Sequence, residues 1–143
     1  MVTATPEVTM TQLVKNKRWP ELFRMADEAG DLESRLSKPT PMVVSEHENP
    51  FDDNSPVNQS WYVSEGVCGF AWVVFKPATH SFVKWMKEQG HAGPNYGGGY
   101  SVWVRGYGQS MQRKEAYARA FAEVLRQAFD EKKLRIYAQS RMD

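Results

Sequence analysis

Hydrophobic and polar positions change period several times along the chain, and each change marks an element. From Gln112 to about Asp130, Tyr117, Ala120, Phe121, Val124, Leu125 and Ala128 recur at helical spacing. Glu115, Arg119, Glu123 and Arg126 occupy the other face at i,i+3 and i,i+4 distances, and Ser110 is a suitable cap. The nearly continuous apolar run Phe70–Phe75, aromatic and β-branched, predicts a buried strand over 69–76 that Pro77 ends. Thr79 or Ser81 then opens a helix to about Gln89, with Phe82, Trp85, Met86 and Gln89 on one face and Gly90 as its stop. Tyr100–Arg105 alternates, with Val102 and Val104 on one face and Trp103 on the other. A last strand over Leu134–Ala138 turns Leu134, Ile136 and Ala138 inward. The order strand-helix-strand-helix-strand predicts an α+β fold, a small sheet with two packed helices. Trp72, Phe121, Val124 and Ile136 are expected to be buried together. Strand direction stays open, because a helix joins parallel strands only when it crosses over.

The first half of the chain is less regular. Residues 1–10 read as a tail. From Thr11 to about Leu36 the pattern is helical but broken at Trp19-Pro20, since proline disfavours helix in the residue before it and favours the first helical position. Leu22, Phe23 and Ala26 follow at helical spacing; Gly30 is expected to close that helix and Asp31 to cap a short one carrying Leu32 and Leu36. Residues 1–37 thus form an N-terminal helical appendage. Residues 38–60, with Pro39, Pro41, Pro50 and Pro56 among polar residues, predict an irregular connection holding at most a short edge strand over Met42–Val44. The core spans 61–143, and Trp61–Val63 with a turn at Gly66 can add a strand to it.

Composition narrows the class. At 143 residues, 41% hydrophobic and 24% charged, the chain can bury a real core. A formal net charge of +1 excludes a polycationic glove for nucleic acid, though not a local basic patch. Cys68 is the only cysteine; it sits beside the buried strand, which predicts an inert core thiol and a reducing compartment. No apolar run approaches the roughly 20 residues that span a bilayer, and the N-terminus lacks the basic start and apolar middle of a signal peptide. The expectation is a cytoplasmic protein that does not engage a membrane.

Candidate chemistry concentrates where the last long helix begins. Arg105, Gln109, Ser110, Arg113 and Lys114 flank a strand-turn-helix junction whose free backbone N–H groups favour an anion. Arg113 and Lys114 sit in the first helical turn, where the dipole disfavours cations, so they need a negative partner. A carboxylate of the protein, Asp143 or Glu115, meets that need; so does an external phosphate. The glycine run Gly97–Gly99 reads as a flexible connector or as a binding lip. His47, His80, His91 and Cys68 lack metal-ligand spacing, no nucleophile–base pattern stands out, and no cofactor is implied.

Three stretches carry a resemblance: VSEGVCGFAWV from Val63, GYGQSMQRKEAYA from Gly106 and the closing YAQSRMD from Tyr137. They resemble small uncharacterised proteins of bacteriophages, especially those of actinobacteria, from about Val63 to the C-terminus. The resemblance implies a phage accessory protein acting in the host cytoplasm and carries no catalytic residue with it. Joined to the reading of the residues, it gives a non-enzymatic binder of an anionic ligand, a nucleic-acid backbone or a nucleotide, at a helix N-terminus. The alternatives are an inhibitor of a host or defence protein, using exposed aromatics and the acidic stretch 46–53, and a virion component.

Overall fold

The computed structural model describes residues 9–143, so most of the 1–10 tail lies outside the described residues. Among the described residues the architecture is α+β, with four helices and two antiparallel sheets. Helix α1 (Met10–Lys15) starts in a capping box between Thr9 and Gln12. The chain breaks ahead of Trp19-Pro20, and α2 (Trp19–Leu36) starts there with Pro20 in its first turn. Strands β1 (Met42–His47) and β2 (Val57–Val63) form a hairpin. The main sheet comprises β3 (Gly69–Lys76), a two-residue β4 (Gly93–Pro94), β5 (Tyr100–Trp103) and β6 (Arg135–Met142). Helix α3 (Ser81–Glu88) follows β3, and α4 (Met111–Ala128) lies between β5 and β6.

The main sheet has the order β4-β5-β3-β6, with each neighbouring pair antiparallel. Both β5 and β6 therefore run against β3 and parallel to each other, with β3 between them. This is the split β-α-β arrangement written β-α-β-β-α-β. It settles the strand directions that the sequence leaves open: α4 crosses over β3, and the sheet nonetheless contains no adjacent parallel pair.

The helices cover one face only. Ala71, Val73 and Phe75 of β3 point into the core, where they meet Phe82 and Met86 of α3, Phe121 and Leu125 of α4, and Ile136 of β6. The N-terminal appendage completes this layer with Trp19, Leu22 and Ala26 of α2. Gly30 does not end α2. It is buried mid-helix beneath the Tyr117 ring, and a Cβ there would stand 2.6 Å from that ring. Close packing of α2 on α4 requires the missing side chain, so tertiary contact overrides the helix-stop tendency. Tyr117 and Tyr107 fasten the same interface by donating hydrogen bonds to Asp27 and Asp31. Burial, then the bond to the aspartate, pushes each phenol above its ordinary pKa. The bond from Tyr107, reinforced by Arg35, holds the Asp31 carboxyl below the usual range.

Segment 38–60 differs from the expected irregular connection. Its β-branched and aromatic residues pair across the hairpin, Val43 with Tyr62 and Val44 with Trp61, while Pro50 and Pro56 fall in the turn region between the strands. Val43, Val44, Val57, Trp61 and Tyr62 are all exposed, so the hairpin stands off the core with both faces in solvent.

The cap of α3 is neither Thr79 nor Ser81 but His80, whose Nδ1 accepts from Phe82 N at 3.1 Å. That role requires an unprotonated Nδ1. Burial, with Lys133 nearby, lowers the His80 pKa from 6.5. The unfolded chain then binds the proton more readily, so this contribution is complete above pH 6.5 and is lost as pH falls through the lower folded value. Urea midpoints will decline on acidification through this window, and His80→Asn, whose Oδ1 can replace Nδ1, will flatten the decline. Equal declines in both proteins would remove His80 as the cause.

Candidate nucleic-acid interface on the open sheet face

The start of α4 is closed by the protein itself. Ser110 caps the helix, its Oγ accepting from Arg113 N at 3.3 Å. Met111 N is bonded to Val67 O, and the Gln109 carbonyl accepts from Gly69 N. The side chain of Arg113 turns back to the end of α2, where Nη1 donates to Ser34 O and Ser37 O, each at 3.1 Å, while Nε donates to Glu65, in the turn between β2 and β3, at 2.7 Å. Lys114 is buried, its Nζ donating to Gly69 O at 3.1 Å and lying 5.2 Å from the Phe70 ring centre. The tension between these cations and the helix dipole is thus met internally. The carboxylate is Glu65 rather than Asp143 or Glu115; Glu115 instead accepts from Arg119 and Ser140. Arg113→Gln will lower stability by about 1.5–3 kcal/mol, the range for hydrogen bonds to a charged group. Urea unfolding measures this; a stability equal to that of wild type would mean that these bonds do not hold the helix start.

Among the described residues, the side chains of Arg105 and Gln109 are the two of that group without a hydrogen-bond partner, and both are exposed. Arg105 lies two residues past Trp103 and lines with Trp103, Tyr107 and His91 a hollow of about 210 Å³.

The uncovered face of the main sheet holds a different constellation. Register places Trp103, Trp72 and Gln139 in one row, Ser101, Val74 and Tyr137 in the next, and Phe70 beside Arg141 and Lys76 beside Arg135 at the ends. Trp72 and Trp103 stack at 4.6 Å between ring centres and 16° between planes, and Phe70 meets Trp103 edge-on at 6.0 Å. Trp103 is 42% exposed. Trp72 is therefore on the far side of the sheet from Phe121 and Ile136, contrary to the expected common cluster, while Val124 lies at the margin of that core. Such cross-strand aromatic pairs also stabilise a sheet in their own right.

Besides the buried Lys114 next to Phe70, three cations lie beside the Phe70 and Tyr137 rings of this face. The Arg141 guanidinium lies 5.6 Å from the Phe70 centre, and Arg135 and Lys76 lie 5.0 Å and 5.7 Å from that of Tyr137. Arg18, Arg24, Arg35, Arg113, Arg119 and Arg126 all have carboxylate partners. Among the described residues Lys76, Arg135 and Arg141 have none, and no Asp or Glu occupies a paired position on this face. A groove of about 450 Å³ runs over it, bordered by the loop carrying Tyr96 and Gly97. That loop is drawn onto the sheet by Lys76, whose Nζ donates to Gly97 O at 3.1 Å. Gly99 has φ +73°, and a Cβ on it would stand 2.3 Å from Phe75 O, so only glycine lets the chain turn this close to β3. The glycine run therefore forms a lip on the sheet groove. Cys68 is half-buried at the lower end of β3, outside the core.

Comparison of the chain with family models, curated proteins and solved structures returned no match. Among the described residues, no cluster of His, Cys, Asp and Glu could hold a metal ion, and no helix is long and apolar enough to cross a membrane.

Proposed function

We propose that the protein is a non-enzymatic binder of single-stranded nucleic acid that works as a phage accessory protein. The carrying observation is the Trp72–Trp103 stack on the sheet face that no described helix covers, with Arg141 beside Phe70 towards one end and Lys76 and Arg135 beside Tyr137 towards the other. The ligand class is the anionic one read from the sequence, but the surface is the sheet and not the helix N-terminus. Bases stack on aromatic rings whatever their identity, and nearby cations follow the backbone. Open four-stranded sheets with aromatics on their central strands serve other proteins in this way; that parallel is one of architecture alone. The phage setting rests on the resemblance of the segment from Val63 onward.

Titration with a single-stranded DNA, its RNA counterpart and the duplex, followed by tryptophan fluorescence, tests the reading. Single strands will quench the signal and bind more tightly than duplex, whose bases are already stacked. With about three phosphates neutralised, log K will fall against log salt with a slope of about −2. Absence of binding at low salt overturns it.

One observation favours a second reading, inhibition of a host or defence protein. The β1–β2 hairpin exposes Trp61 and Tyr62, and its distal part carries Glu46, Glu48, Asp52 and Asp53 without a lysine or arginine. Co-purification of a host protein that is lost with Trp61→Ala and retained with Trp103→Ala would support it.

A further inference from the structure

Strand β6 is an outer strand of the main sheet, and among the described residues no strand pairs with its free side. Asp143 continues its ladder, the backbone N–H donating to Cys68 O at 3.0 Å. The odd-numbered residues from 135 to 143 therefore bond to β3, and the even-numbered ones turn their N–H and C=O groups outward. Ile136 O follows this phase and accepts from Arg126 Nε at 2.8 Å. The outward backbone groups of Ala138, Ser140 and Met142 have no partner among the described residues. Helix α4 does not close over them: a hollow of about 150 Å³ is lined by Glu115, Ala118 and Arg119 of the helix and by Ala138–Ser140 of the strand.

An open edge of this kind is a template for another strand, and the sequence of β6 complements itself. Two copies laid antiparallel about Gln139 set Arg135 opposite Asp143, Tyr137 opposite Arg141 and Gln139 opposite its counterpart on the open face. On the other face Ile136 meets Met142, which is exposed in the single chain, and Ala138 meets Ser140. Two-fold symmetry makes each unlike pair occur twice. The open-face pairs fall at non-hydrogen-bonded positions, where side chains come closest, so opposite charges and a cation beside a tyrosine ring are both favourable there. Neighbouring registers fit less well. Centring on Ala138 sets Arg135 against Arg141, centring on Arg141 sets that residue against itself, and centring on Ser140 leaves Arg135 without a counterpart. We infer that β6 is the interface of a symmetric dimer, in which two copies pair edge to edge in the Gln139-centred register and join their main sheets into one. The occupant of the edge is a second copy because every complementary residue lies in this one strand. The pairing does not depend on the nucleic-acid reading of the open face.

Sedimentation equilibrium over a concentration series, without nucleic acid, tests the pairing. Wild type will pass from monomer to dimer mass as concentration rises. Asp143→Arg places like charges opposite each other at two symmetric positions, and Arg135→Asp does so with the opposite sign. Each will weaken dimerisation about tenfold, because two favourable cross-strand pairs become repulsive. The double variant Arg135→Asp/Asp143→Arg restores opposite charges across the interface and will return dimerisation towards the wild-type level. Both side chains are exposed, so circular dichroism will show an unchanged fold in all three variants. Wild type that stays monomeric at every concentration overturns the inference. So does a dimer that neither single variant weakens, which would lie at another surface, and so does a loss in the single variants that the double variant does not reverse.

Discussion

Phe121→Ala will lower the free energy of unfolding by about 3–5 kcal/mol, the range for emptying a fully buried aromatic position. Phe121 is 0% exposed in the layer between α4, α2 and the sheet. It meets Phe23 edge-on at 5.3 Å and stacks on Tyr117 at 5.7 Å. The surroundings cannot readily collapse into the space, because Gly30 already brings the α2 backbone against Tyr117. Domains of this size are stable by about 5–15 kcal/mol, so the variant will be close to unfolding at moderate temperature. Leu36→Ala is the control: Leu36 belongs to α2 but is 62% exposed, and its loss will change the urea midpoint little. A change below about 1 kcal/mol for Phe121→Ala would mean that this layer is not the core.

Trp103→Ala will weaken single-strand binding by about 10- to 100-fold, the effect of losing one stacked base at about 1–3 kcal/mol. Trp103→Phe will recover much of it, since a phenyl face still stacks. The salt slope will not change in either variant, because no charge is removed. Arg141→Gln will do the opposite, with a modest affinity loss and a slope shallower by about one phosphate contact. Stacking and charge are thereby read on separate axes. If Trp103→Ala binds like wild type, the stack only stabilises the sheet, and the site proposal for this face falls.

The elements were legible wherever one physical demand dominated the sequence. Helix α4 has a one-sided apolar stripe and a serine cap, and its span, Met111–Ala128, is close to the periodic segment. The β5 alternation already separated Trp103 from Val102 and Val104. The face of Trp72 was hidden because β3 is apolar on both sides: Ala71, Val73 and Phe75 serve the core, while Phe70 and Trp72 form the open face. The site itself did carry a signal, in the period-two row Arg135, Tyr137, Gln139 and Arg141 against Ile136 and Ala138. That signal acquires meaning only when β3 is known to lie between β5 and β6. Local patterns also cannot reveal that Gly30 is needed for close packing or that Arg113 reaches the end of α2, because both depend on neighbours 87 and 76 to 79 positions away along the chain.

The position of β3 has a consequence for how the molecule is made. Its two flanking partners are translated later, and the second, β6, only after α4 is complete. While residues up to Ala128 are outside the ribosome and Arg135–Met142 are not, β3 has one open edge bearing Phe70, Trp72 and Phe75 in sequence. An unpaired strand of that composition invites association with another nascent chain. Synthesis that stalls between α4 and β6 will therefore yield insoluble product, whereas β1 and β2, adjacent in the chain, can pair as soon as both have emerged.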